Sequence, residues 1–440
     1  MKNEMKGRDQ RRTCFQGDRV VWLIVLLLAL VRLAAFFQLG PMYSLYSDDA
    51  SYINSGIHFA NTGVISIHSE FPSAQAMPGM TYLIGLFSLI FGEGTLLRVV
   101  LKLFWIGMGS ATGWFLYQSV RLFAPRWCAV IAALMLFRPD FIWADNLILT
   151  ETPFTLCFTA LIYFTFQMGR QPDKRRYFVG CAAAYMAALL LKANIGIYPI
   201  FAMVYLLCVK YDFKKLLKQG LVLACALLCF LVPWTIRNYL QFDAFIPLTY
   251  GAGNPMLLGT YQGWDYPYDD YLDYESNVDD VVKETYAKYY NADGTIPEKY
   301  QGYLALQSDG IKAKYRLQVW HEEHPRRLAV SYLVLKPFQM ANDTFYWERV
   351  FHIPATAVYG IQYVDMALCI AVVIGMFFSK KSRWELLFLI ILYWSNLYLY
   401  AMAFAFGRYN MSLMPARFIL IGIGLSLLAG LRRNRRAHKT

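Results

Sequence analysis

Ten mostly apolar stretches, most of them close to bilayer-spanning length, decide what this chain can fold into. They cover 20–39, 95–120, 127–144, 152–168, 177–193, 195–209, 219–236, 355–378, 385–403 and 413–430. A membrane helix needs roughly 20 apolar residues, since about 30 Å of hydrocarbon is crossed at about 1.5 Å per residue. The expected fold is an all-α polytopic membrane protein with about ten transmembrane helices. Composition points the same way: 57% of residues are hydrophobic and only 16% charged, where a soluble domain carries about 25% charged. A disordered chain, a coiled coil and a conventional cytosolic enzyme are excluded. The first run is too long and too late for a cleaved signal peptide.

The basic residues give an orientation. They fall before the first span (Lys2, Lys6, Arg8, Arg11, Arg12, Arg19) and in every second connection after it. Those connections hold Arg121 and Arg126; Arg170, Lys174, Arg175 and Arg176; Lys210, Lys214, Lys215 and Lys218; and Lys380, Lys381 and Arg383. Arg432, Arg433, Arg435, Arg436 and Lys439 follow the last span. By the positive-inside rule both termini are cytoplasmic. The formal charge of +12 is then a topology marker, and no nucleic-acid partner is expected. Residues 80–91 are too short for a span and suit a re-entrant or interfacial helix. Counting them as a span would place Arg170 to Arg176 outside.

The other connections are acidic. Loop 40–77 holds Asp48, Asp49 and Glu70 without Lys or Arg, and the connection near 140–151 holds Asp140, Asp145 and Glu151. The chain divides into a cytoplasmic tail (1–19), a first transmembrane module (20–236) with outer loop 40–77, an extracytoplasmic loop region (237–354), C-terminal spans (355–430) and a basic cytoplasmic tail (431–440). Within 237–354 a Tyr/Asp-rich run (261–280) precedes an amphipathic helix near 300–322 and a break at His324-Pro325. The eight cysteines lie in spans or in the cytoplasmic tail, so no disulfide framework is implied. No cysteine or histidine spacing implies a metal, and no glycine-rich loop implies a nucleotide.

Five motifs can carry chemistry. Ser47-Asp48-Asp49-Ala50-Ser51-Tyr52 opens a helical pattern just outside the first span. Either Asp could cap that helix; a desolvated carboxylate at this surface could equally act as a general base. Glu151, in Leu149-Thr150-Glu151-Thr152, suits a helix N-terminus. Yet a carboxylate at the membrane boundary is costly and points to function. Met77-Pro78-Gly79 reads as a turn. Arg237, in Pro233-Trp234-Thr235-Ile236-Arg237-Asn238, and Arg408, in Phe406-Gly407-Arg408-Tyr409, sit at outer span ends, as do Lys192 and Lys336. Cations there run against the positive-inside bias and are candidates for holding an anionic lipid headgroup. Asn342-Asp343-Thr344 and Asn410-Met411-Ser412 match the N-glycosylation pattern.

In order and placement these motifs resemble the GT-C superfamily of polyprenyl-phosphate-dependent glycosyltransferases, over about residues 20–425. The likeness is to bacterial relatives of protein O-mannosyltransferases and of the lipid A aminoarabinose transferase (glycosyltransferase family thirty-nine). Asp48-Asp49-Ala50-Ser51-Tyr52 stands for that family's acidic pair followed by Tyr. Pro233 to Asn238 and Arg408-Tyr409 with Pro415 match the bacterial branch. Three positions depart: Asp49 where Glu is commoner, Ser51 in place of an arginine, and Met77 in place of a lysine. Two phosphate-contacting cations are thus missing.

The resemblance implies a GT-C fold with outer juxtamembrane helices and one larger extracytoplasmic loop. It also implies an inverting transfer, on the extracytoplasmic face of a bacterial plasma membrane, from a polyprenyl-monophosphate sugar to a hydroxyl of a glycan, lipid or protein. Asp48 is the expected base, with Asp49 and Glu151 as catalytic partners. Tyr52, Lys192, Arg237, Asn238, Arg408 and Tyr409 are the expected substrate-binding residues. No obligatory metal or cofactor is expected, although a divalent cation is compatible with the site. Two other readings stand beside this one. A transporter or flippase of lipid-linked sugars would use Arg32, Lys102 or Asp365 within spans. A lipid-linked glycan polymerase or ligase would carry outer-loop arginines.

Overall fold

The computed structural model describes residues 18–437, with side chains to residue 432. Lys2 to Arg12, Cys14, Arg433, Arg435, Arg436 and Lys439 lie outside the described side chains. Every regular element among the described residues is helical. The first half contains α1 (Arg19–Leu39), α2 (Asp48–Thr62), α3 (Gly79–Phe91), α4 (Thr95–Arg121), α5 (Arg126–Leu134), α6 (Pro139–Ala144), α7 (Glu151–Arg170), α8 (Arg175–Leu191), α9 (Tyr198–Cys208) and α10 (Phe213–Phe242). The second contains α11 (Gly253–Gly259), α12 (Asp280–Thr285), α13 (Glu298–Glu323), α14 (Pro325–Val330), α15 (Lys336–Asn342), α16 (Ala355–Phe378), α17 (Arg383–Ala401) and α18 (Gly407–Ala437).

All ten expected spans are helical, with shifted ends. Six helices (α1, α4, α10, α16, α17 and α18) are each long and apolar enough to cross a membrane. The other four differ for visible reasons. The 127–144 stretch breaks after Leu134 into a short 3-10 turn, and Pro139 then starts α6. Proline lacks an N–H and pushes Arg138 out of the helical region. Helix α7 has the length but buries Thr152, Thr155, Thr159, Thr165 and Gln167. Helices α8 and α9 are only 17 and 11 residues long.

Helix α18 is the hub. About 78% of its apolar window is buried, against α16, α17, α7 and α5. Helix α10 is the opposite case, with 0% of its window buried and α8 as its main helix neighbour. Bare apolar faces, such as Leu240 on α10 and Phe377 on α16, would be a liability in water and are at ease in lipid. The protein is an integral membrane protein of polytopic all-α architecture.

Short helices build the surface that carries the site. The 13-residue α3 packs along α2. It begins at the expected Met-Pro-Gly turn, where a Cβ on Gly79 would lie 2.4 Å from the Leu190 carbonyl oxygen. Only glycine permits that approach, which seats the end of loop 40–77, loop one, on the end of α8. The 237–354 region is folded. Helix α13 covers the expected amphipathic stretch and ends at His324-Pro325. Its fully buried Arg316 donates to Thr260 Oγ1 (2.7 Å), to the Pro267 carbonyl (2.6 Å) and to the Tyr274 hydroxyl (2.6 Å), and it pairs with Asp269. One guanidinium thus ties the Tyr/Asp-rich run to the helix.

Candidate active site

Asp48 and Asp49 are neighbours in sequence with different surroundings. Both lie in the first turn of α2, where the helix dipole favours negative charge. Asp49 is buried, and its carboxylate accepts the backbone N–H groups of Leu45 (2.9 Å) and Ser47 (3.2 Å). It closes the preceding loop on itself. Asp48 keeps 42% of its side chain exposed and takes one strong partner, Arg408, whose Nη1 donates to Oδ2 at 2.6 Å. Asp49 therefore fixes the turn, and Asp48 faces outward from it.

Glu151 is the first residue of α7 and has no exposed side-chain surface. The segment before it is pinned: Asp145 accepts from Arg32 Nε (2.5 Å) and Thr152 Oγ1 (2.7 Å), and Trp105 donates to the Leu149 carbonyl (2.9 Å). Held this way, Glu151 Oε1 accepts from Lys192 Nζ at 2.8 Å and lies 2.8 Å from Arg408 Nε. Lys192 is the extended residue that ends α8, and Arg408 is the second residue of α18. Four elements far apart in sequence thus deliver two carboxylates and two cations to one place. The formal charges cancel within the cluster, and burial is compensated by pairing.

Aromatic rings wall the cluster. Lys192 Nζ stands 5.4 Å from the Phe154 centroid, 5.4 Å from Tyr409 and 5.9 Å from Tyr400, within cation–π range. Tyr400 and Tyr409 stack at 4.7 Å. Tyr52 sits beside Asp48, Glu151 and Arg408, and burial pushes its phenol well above the ordinary value. It is therefore a neutral hydrogen-bonding group. Of the sequence-expected residues, Asp48, Glu151, Tyr52, Lys192, Arg408 and Tyr409 come together. Phe154 and Tyr400 were not expected; they sat unmarked within apolar runs, and only the third dimension turns them toward Lys192.

Arg237 and Asn238 do other work. Arg237 donates to the carbonyls of Ser73 (2.8 Å) and Ile65 (3.2 Å) and to Asn238 Oδ1 (2.9 Å), and it lies over Trp234. Asn238, fully buried, donates to the Ile246 carbonyl (2.9 Å). They fasten loop one to the end of α10, and none of these bonds reaches the Glu151 cluster. Lys336, also a candidate headgroup cation, is buried against the carbonyls of Gly259 and Ala403. Asn410, in the second sequon, is fully buried and donates to the Asp343 carbonyl (3.2 Å). Among the described residues no three His, Cys, Asp or Glu side chains are grouped as a metal site.

Comparison with known proteins gives a family match over part of the chain and a likeness of fold over most of it. Residues 74–236 match the family described as dolichyl-phosphate-mannose-protein mannosyltransferase. The match contains Glu151 and Lys192 and leaves Asp48 and Arg408 outside. No curated protein matches the sequence. Among solved structures, the oligosaccharyltransferase of Archaeoglobus fulgidus is similar at TM-score 0.55 and 12% identity, over 97% of this chain and 52% of that one. The archaeal oligosaccharyltransferase AglB from Archaeoglobus fulgidus, in complex with an inhibitory peptide and a dolichol-phosphate, is similar at TM-score 0.55 and 13% identity, over 95% and 51%. This chain spans about half of their length. ArnT from Cupriavidus metallidurans bound to undecaprenyl phosphate has TM-score 0.44 and 16% identity, over 93% and 78%. The chain has the all-α fold of the GT-C glycosyltransferases, and its residues 74–236 carry the mannosyltransferase family match.

Proposed function

We propose that the protein is an inverting membrane glycosyltransferase. It moves a sugar from a polyprenyl monophosphate, such as undecaprenyl phosphate, to a hydroxyl of a glycan, lipid or protein. The active site faces the extracytoplasmic side of a bacterial plasma membrane, with both termini cytoplasmic. One observation carries the reading: Asp48, a half-exposed carboxylate, is joined through Arg408 to the buried Glu151–Lys192 pair. The acceptor oxygen attacks the anomeric carbon as the bond from that carbon to the phosphate oxygen breaks. The acceptor proton passes to Asp48, and the phosphate leaves as an anion. Arg408 and Lys192 carry five and three N–H donors, and the contacts described above use only part of them. Both can meet the charge that grows on the leaving phosphate. Glu151 holds the two cations in place, and Asp49 holds Asp48. Carboxylates near the anomeric carbon also favour its oxocarbenium character. The role of the missing loop-one cations falls to Arg408 and Lys192, and the step uses no resident metal.

The test is release of polyprenyl phosphate from a panel of undecaprenyl-phosphoryl sugars by the purified full chain. Wild type should release it with and without EDTA, and Asp48→Asn should not while remaining folded. Near-normal release by Asp48→Asn would overturn the assignment of the base. Loss of wild-type release in EDTA would overturn the metal-free step.

A further inference from the structure

A polar pocket of about 340 Å³ lies along α2, lined by Ser51, Asn54, His58, Ser66, His68 and Glu70 among others. Its volume is within the range of small-molecule sites. Three features give it meaning. First, Ser51, Asn54 and His58 continue the helical row that Asp48 heads, at spacings of three or four residues; such residues share a face. Second, the wall is built. Ser55 donates to the Ser66 carbonyl (2.5 Å) and is 2.7 Å from Thr81 Oγ1, and Ser51 Oγ is 3.0 Å from His68 Nδ1. Third, His58 Nε2 is shielded from solvent without a hydrogen-bond partner, and such a group is normally satisfied by something. The lining has hydroxyl, amide, imidazole and carboxylate groups and no Lys or Arg. That suits a neutral ligand rich in hydroxyls and discourages a phosphate.

We propose that this pocket is the acceptor subsite, and that it takes a neutral polyhydroxylated ring, a sugar unit, whose attacking hydroxyl projects toward Asp48. The proposal rests on the glycosyltransferase reading for its direction. Inversion requires attack opposite the leaving phosphate, so the acceptor must approach on the side away from the cations. Asp48 pairs with Arg408, and Ser51, about one turn further along the same helix, lines the pocket. The specificity-determining side chains are Asn54 and His68, both exposed at the pocket, with His58 at its wall.

Binding and turnover separate the two claims. Saturation-transfer NMR on the detergent-solubilised full chain, with a panel of methyl hexosides as probes, should give a saturable signal from at least one. The affinity for that methyl hexoside should fall at least about tenfold in Asn54→Leu and in His68→Phe, which alter exposed positions and leave the core intact, and should persist in Asp48→Asn. In the transfer assay the same two variants should raise KM for the methyl hexoside with little change in KM for the undecaprenyl-phosphoryl sugar. Absence of any methyl hexoside binding, or wild-type binding by both variants, overturns the pocket assignment whatever the turnover. A rise in donor KM with acceptor KM unchanged overturns it as well, by assigning the pocket to the donor sugar. Binding without any sugar transfer would instead overturn the glycosyltransferase reading and the acceptor role built on it.

Discussion

Two sets of buried charges divide this molecule, and they differ in what they leave open. Inside the bundle, Arg138 bridges Asp140 (2.8 Å) and Asp365, with side chains 2%, 1% and 4% exposed. Arg32 pairs with Asp145, and Lys102 donates to the carbonyls of Gly40 (3.0 Å) and Tyr43 (2.8 Å). At the end of α2 the set of Glu151, Lys192, Arg408 and Asp48 is equally balanced in charge. It is sealed at Glu151 and open at Asp48, from 0% to 42% exposed. Net charge does not tell a structural network from a reactive one; access to a single member does. The same contrast weakens the transporter reading. Its three candidates, Arg32, Lys102 and Asp365, are each spent on a fixed partner.

If that division is right, the two sets respond to mutation in opposite ways. Asp48→Asn removes the base and should lower kcat by about 10²–10⁴, the usual worth of general-base catalysis. Its thermal unfolding should stay close to wild type, because Asp48 is 42% exposed and Arg408 keeps Glu151 as a partner. Initial rates and unfolding midpoints in the same detergent check both halves. Arg138→Met should do the reverse. It strands two buried carboxylates, at a cost of about 3–5 kcal/mol, so folded yield and unfolding temperature should drop sharply. The protein that does fold should turn over donor at a rate near wild type. An unfolding midpoint close to wild type would show that the inner network is not structural.

Lys336 tests the comparison at a lower level. It is buried without a carboxylate, its ammonium held by the carbonyls of Gly259 (3.0 Å) and Ala403 (3.2 Å) and lying 3.7 Å from the Tyr332 centroid. Burial pushes its pKa down to about 7 from an ordinary 10.5. Between those values the unfolded chain holds a proton that the folded chain lacks, so stability rises with pH across that window. From pH 7.5 to 9, wild type should gain about 1–2 kcal/mol relative to Lys336→Met. Unfolding of both proteins across that range checks the slope; parallel curves would show that the carbonyls keep Lys336 charged throughout.

Much of this was legible in the sequence. Apolar runs marked helical segments in all ten places, and six of those helices are long and apolar enough to cross a membrane, because lipid imposes a length and a composition on whatever crosses it. The break at Pro139 and the extension of α10 to Phe242 were less visible, since local turn chemistry and helix fraying leave little trace in hydropathy. Six of the nine expected site residues converge. Their residue types at span ends were costly enough to require partners. The places of Arg237 and Asn238 were not legible, because a cation at a span end looks the same whether it meets a phosphate or two backbone carbonyls. Tyr400 was hidden for a related reason: an aromatic in a span is ordinary until a lysine faces it.

The smallest predicted effect falls on Asp49, where sequence alone could not separate two adjacent acids. Its carboxylate accepts two backbone N–H groups and contacts no cation of the cluster. Asp49→Ala should cost about 1 kcal/mol, as the loss of a helix-start acceptor does, and should lower kcat only because Asp48 is then less firmly placed. Asp49→Asn keeps one acceptor oxygen and should recover most of both losses, whereas the same change at Asp48 removes the base and should recover nothing. The two Asn variants, made side by side, therefore separate positioning from proton transfer. Equal losses in rate would mean that the pair shares the proton and that the division between the two carboxylates is false.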